Sequence, residues 1–175
     1  MLIARRRGTD PYATTAFGWY AHDPVFQVML ERDLQRIEDT AGPVRRELTE
    51  GRLTYCVPGL RVPGDLSPHD LRIEFQSEPL GPWAAGIAPC DYPRVFTSVN
   101  RPRKHENPDG SLCLWASYDP PERRWWHGDG LRALVEITRR HLLLELHWHE
   151  TGGRKHGEWA VQDAPHGRPD VTELR

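Results

Sequence analysis

The residues best suited to chemistry lie in one short stretch, His105-Glu106-Asn107-Pro108-Asp109-Gly110-Ser111-Leu112-Cys113-Leu114. A cysteine thiolate is a nucleophile, and acyl transfer to it needs a hydrogen-bond donor for the developing oxyanion. A side-chain amide such as that of Asn107 can serve, a contribution on the order of 10²–10³ in rate. Asn107-Pro108-Asp109-Gly110 has the composition of a type I turn, with Pro second and Gly fourth. That turn brings Asn107 and Cys113 into one loop. Residue chemistry alone leaves a second reading open. Asn107 would then only stabilise the turn, Cys113 would be a small buried apolar residue, and His105 would pack locally.

The remaining cysteines, Cys56 and Cys90, make an odd total of 3 at wide spacing. This argues against a disulfide framework or zinc ribbon and suits free thiols in a reducing cytoplasm. A second constellation is His141, His147, His149, His156 and His166, with Glu145 and Glu150. It offers a metal-dependent hydrolase built on His141, His147 and His149 as an alternative. No His-Glu-x-x-His occurs, and His147 and His149 would lie on opposite helix faces. His141 and Glu145 share a face, the spacing of an ordinary surface pair. Neither a metal nor a cofactor site is expected. Trp115, Trp125, Trp126, Trp148 and Trp159 sit in apolar segments and read as core, or as a partner surface near Cys113. Arg101-Pro102-Arg103-Lys104-His105 is a basic run, either a solvated loop or a dock for a partner's carboxyl-terminal tail. Lys104 and Lys155 are the only lysines among 23 basic residues. Lys104 is the nearer to Cys113 and so a candidate for self-modification.

Elements must position these groups. Residues 1–21 read as an irregular arm, and Asp23-Pro24 as a helix start. Val25, Phe26, Met29, Leu30, Leu34 and Ile37 follow at helical spacing until Ala41-Gly42-Pro43. Residues 52–57, 71–75 and 94–99 read as strands joined by Pro/Gly-rich loops, which favours an antiparallel meander. A helix capped by Asp129 then runs to the break at Thr151-Gly152-Gly153. Leu142, Leu143, Leu144 and Leu146 make its far end apolar nearly all round, as for a helix running through the core. Residues 163–175 read as a loose tail. The class is α+β, one domain over residues 1–175. A net charge of −2 lacks the electrostatic footprint of a nucleic-acid binder. Mean hydropathy is −0.67, and no apolar run approaches the roughly 20 residues of a membrane span. The start of the chain has no secretory signal pattern.

Tyr92-Pro93, Arg94-Val95-Phe96-Thr97, His105-Glu106-Asn107 and Gly110-Ser111-Leu112-Cys113-Leu114, in that order, resemble the catalytic core of ubiquitin-conjugating enzymes. Trp125, the helix from about Asp129 and the leading helix extend the likeness over roughly residues 22–150, with the motifs concentrated in 92–126. The resemblance implies a conjugating-enzyme fold, with Cys113 accepting an acyl group, Asn107 stabilising the oxyanion or the loop, and His105 fixing the loop backbone. His-Glu-Asn stands where the family has His-Pro-Asn. The loop from Asn107 to Cys113 is shorter than in eukaryotic members, and the interval from Cys113 to Trp125 is longer. No acidic residue matches the one that helps deprotonate an incoming lysine. Glu158-Trp159 and His166-Gly167 are similar to the stand-alone bacterial relatives of antiphage cyclic-oligonucleotide (CBASS) operons. That similarity implies, as partner, the C-terminus of a cGAS-like nucleotidyltransferase or of a ubiquitin-like protein, with an activating enzyme. Two further classes stay open: a non-catalytic binding module on the same fold, and the metal-dependent hydrolase.

Overall fold

The computed structural model of the chain describes residues 24–49, 52–76, 93–115, 119, 124, 125 and 127–161. The sheet has four antiparallel strands, β1 (Arg45–Thr49), β2 (Arg52–Leu60), β3 (His69–Gln76) and β4 (Arg94–Thr97), neighbours in chain order. Tyr55 pairs with Ile73 and Ile73 with Val95. Because side chains alternate across a strand, this register collects Leu53, Tyr55, Val57, Leu71, Ile73, Phe75 and Val95 on one buried face. Four helices complete the described fold: α1 (Pro24–Glu31), α2 (Leu34–Glu38), α3 (Gly130–Glu150) and the single-turn α4 (Gly153–His156). Phe26, Leu30 and Ile37 from the leading helices join Leu131, Leu134, Val135 and Leu142 of α3 in one cluster with the sheet. The α+β class and the meander agree with the sequence reading.

Four details differ from it. The first strand, Arg-Arg-Glu-Leu-Thr, has one apolar residue and no alternation to detect. All five of its residues are exposed, as suits a charged edge strand. The helix expected from 24 to the Gly42-Pro43 stop breaks after Glu31. Asp33 leaves helical geometry at φ −122°, and its carbonyl accepts the amides of Arg36 and Ile37 to start α2, which keeps Ile37 in the core. Asp129 occupies the position before α3 but makes no capping bond. It continues a 3-10 turn in helical geometry rather than the extended geometry an N-cap needs. Finally, the far end of α3 is not surrounded. Leu143 is 41% exposed, and the buried stripe runs instead through Leu131, Leu134, Thr138, His141, Glu145 and Trp148. The arm, Asp23, Cys90, Trp126 and the tail lie outside the described residues.

Side chains tie the leading helix to the sheet. The Tyr55 hydroxyl donates to Glu31 Oε1 at 2.8 Å, and Arg46 Nη1 reaches the same oxygen at 3.1 Å. Burial, and then Glu31, push the Tyr55 hydroxyl pKa well up, so it stays a donor at any working pH. Gly42 must be glycine for space: its amide donates to Pro58 O at 2.7 Å, and a Cβ there would lie 2.9 Å from Pro58 Cγ. Among the described residues, no helix is long and apolar enough to cross a membrane.

Candidate functional site

The expected turn at 107–110 is present, and it closes a small hairpin. Gly110 N donates to Asn107 O at 2.9 Å, Asn107 N to Ser111 O at 2.8 Å, and Gly110 takes φ +82°. This is a three-residue connection whose last position needs the left-handed geometry that glycine supplies. Glu106 then bridges Leu112 in antiparallel fashion, and Leu112 N donates to Val95 O at 2.8 Å. The hairpin thereby extends the sheet at β4. Inside it, Asn107 Nδ2 donates to Ser111 Oγ at 3.0 Å and Leu112 O at 3.1 Å. Asp109 Oδ1 accepts both the amide (3.0 Å) and the hydroxyl (2.6 Å) of Ser111. Of the two roles open to Asn107, holding the loop is the one its amide performs in this conformation.

Cys113 follows directly, and its amide donates to His105 O at 3.3 Å. The three residues singled out from sequence are therefore joined through one hairpin. A nucleophile that carries a partner's tail needs an open sulfur, and Cys113 is only 6% exposed. Leu112 beside it is buried as well, so the ladder is covered on both of its faces. Burial, and then the Asp119 carboxylate, push the Cys113 thiol up to about 11, against a downward pull from Arg94. The thiol is protonated at neutral pH in this conformation. Arg94 Nε lies 3.5 Å from Asp109 Oδ2, so one guanidinium ties the turn to the surroundings of the cysteine. Asp119 is an acidic neighbour of the sulfur that sequence reading missed. In sequence it precedes Pro120-Pro121, with no periodicity to place it.

His105 is buried with its ring edge-on to Trp159, 4.5 Å between centroids, and 6.1 Å from the His141 ring. His141 also meets Trp159, at 5.7 Å. The backbone of this segment is held by α3. Glu145 Oε1 accepts the His105 amide at 3.0 Å, and both its oxygens accept the Lys104 amide at 3.1 Å. Glu145, read from sequence as a surface pair with His141, is buried, and His141 Nε2 stands 3.7 Å away, beyond hydrogen-bond length. The stripe Thr138–His141–Glu145–Trp148 carried the signal, since a helix that buries its neighbours at these spacings buries Glu145 too.

The other constellations resolve into internal ties. His149 Nε2 donates to Pro102 O at 2.6 Å. His141 and His149 thus serve separate contacts, and among the described residues no three His, Cys, Asp or Glu side chains are arranged to hold a metal. Arg101 bonds Asp65, and Arg103 bonds Val99 O and Glu106, so these arginines of the basic run turn inward. Lys104 Nζ lies 5.9 Å from the Trp159 ring. Trp125 and Trp148 are core, while Trp115 is half-buried against it. His69 bridges Thr97 Oγ1 and Asp65 Oδ2, each at 3.0 Å. The order hydroxyl–imidazole–carboxylate is that of a hydrolase triad. His69 is only 2% exposed, however, and it ties the loop after β2 to β4. Burial alone would raise the Asp65 carboxyl, but the Ser67 amide, His69 and Arg101 outweigh it and hold the pKa below the usual range. Its stabilising contribution is present at neutral pH and is lost as pH falls through the carboxylate range.

No protein-family model, curated protein or solved structure matches this chain.

Proposed function

We propose that the chain has a conjugating-enzyme-like fold and is a cytoplasmic cysteine acyl transferase of antiphage defence. Cys113 would carry the C-terminal acyl group of a partner protein, with a cGAS-like nucleotidyltransferase as the favoured partner. The single observation that carries the reading is the hairpin that ties His105, Asn107 and Cys113 through backbone and amide hydrogen bonds. In the first step the Cys113 sulfur attacks the activated C-terminal carbonyl. The bond to the previous carrier, an activating enzyme's thiol or adenylate, breaks, and the thiol proton passes to solvent. In the second step an amine nitrogen attacks the thioester. Cys113 leaves as thiolate, and the amine's proton would pass to Asp119, whose charge bears on the sulfur. Both steps need a thiolate and a reachable sulfur, so docking of the partner must uncover Cys113. Splitting one difficult acyl transfer into two easier steps is the gain of covalent catalysis.

The burial of Cys113 favours a second reading, a binding module that uses the same fold without chemistry. One experiment separates the two. Co-expression with a cGAS-like nucleotidyltransferase and its activating enzyme is expected to give a covalent adduct sensitive to reducing agent. Cys113→Ala abolishes this adduct, whereas Cys56→Ala and Cys90→Ala do not. Acyl recovered on Lys104 in peptide maps would mark self-modification there. Binding without any adduct would establish the module reading instead.

A further inference from the structure

We infer that Glu145 is a positioning residue for acyl transfer at Cys113, its buried carboxylate clamping the loop backbone that in turn holds the cysteine. The inference rests on the transfer reading and adds a residue to it. Two consecutive amides, those of Lys104 and His105, converge on this carboxylate from 40 and 41 residues away in sequence. The carbonyl of the same His105 accepts the Cys113 amide. Helix α3, 21 residues long and packed on the sheet, is thereby linked to the cysteine through one residue of the loop. Trp159 packs on the His105 ring, so the clamped residue is held by both backbone and side chain.

The cost of this arrangement points the same way. A buried carboxylate gives up hydration, and burial pushes the Glu145 pKa up despite the two amides and Arg103 that favour its charge. Its neighbours on the stripe include Leu131, Leu134, Leu142 and Trp148, and an apolar side chain would pack there without that cost. What an apolar residue cannot do is accept two backbone N–H groups, which would otherwise be left without their acceptor in a buried setting.

The test uses the full chain with a cGAS-like nucleotidyltransferase docked to uncover Cys113, a synthetic glycyl-peptide thioester of mercaptoethanesulfonate, and the Cys113→Ala chain as the blank. Exchange forms the Cys113 thioester and releases mercaptoethanesulfonate, so the small thiol freed above the Cys113→Ala blank reads the rate. Glu145→Met keeps the volume and removes the acceptor, whereas Glu145→Gln keeps an acceptor oxygen. Met is expected to slow exchange by about 30-fold, the size of a lost buried hydrogen-bond pair expressed as a rate. Gln should stay within about threefold of the parent, since its amide oxygen can still accept both N–H groups. A residue that acts on stability alone would shift unfolding without changing the rate well below the transition. Amide hydrogen exchange at Lys104 and His105 gives a second readout: faster in Met, unchanged in Gln. A Met variant that exchanges thioester like the parent overturns the positioning role. So does a Gln variant as slow as Met while still cooperatively folded. A parent protein that, with the partner docked, releases no more small thiol than the Cys113→Ala blank contradicts the transfer reading itself, whatever the variants do.

Discussion

Trp125→Ala is expected to lower the free energy of unfolding by about 3–5 kcal/mol, the range for removing a buried tryptophan. Trp125 is buried, its ring centroid lies 5.9 Å from that of Phe75, and its indole N–H donates to Gly130 O at 2.9 Å. Gly130 opens α3 at φ +80°, with space for a Cβ limited by Arg32 Nε and Met29 O, both at 3.4 Å. Trp125 therefore joins three pieces at once: the segment after Cys113, the sheet and the start of α3. Alanine would leave a cavity and also free the Gly130 carbonyl. Denaturant unfolding would show the midpoint falling at unchanged slope. A change under about 1 kcal/mol would mean that the indole contributes little beyond surface packing.

Cys113 is expected to react with iodoacetamide about 100-fold more slowly at pH 8 than an exposed thiol of ordinary pKa, from thiolate supply alone. The physical cause is burial, then Asp119, which together push the thiol up to about 11. The rate should climb about tenfold per pH unit, flattening only near that value. The linkage follows from the same direction. A thiol that titrates at 9.0 when unfolded and about 11 when folded favours the folded state below pH 9. That contribution, on the order of 3 kcal/mol, is lost as pH rises from about 9 to 11. A plateau of reactivity below pH 9 would show a thiolate already stabilised in the free protein. The same measurement with a docked partner bears on mechanism, because transfer requires the sulfur to become both ionised and reachable.

The legible parts of this molecule are those where local chemistry and packing agree. Asn107, Pro108 and Gly110 at the first, second and fourth places of a four-residue stretch specify a turn, and the hairpin forms there. The alternation through Leu71, Ile73 and Phe75 gives a strand because one sheet face is buried along its whole length. The stop at Thr151-Gly152-Gly153 is also local, since Gly152 and Gly153 both take positive φ. What escaped depends on partners distant in sequence. The first strand is held by its ladder to β2 and not by any pattern of its own. Glu145 looks like a surface acid until the loop amides that it accepts are brought to it. Arg101 and Arg103 read as free positive charge, yet their acceptors, Asp65 and Val99 O, are supplied by the fold. The burial of Cys113 was the least legible feature. A cysteine serves equally as small core residue and as nucleophile, and its residue type does not separate the two.

The most direct test is to incubate the full chain, with a cGAS-like nucleotidyltransferase docked, with a glycyl-peptide thioester and map the acylated peptide by mass spectrometry. Acyl-transfer function requires the label on Cys113, released by a small thiol and absent from Cys113→Ala. Label confined to Cys56 or Cys90, or no label on the fully folded protein with the partner docked, would contradict it.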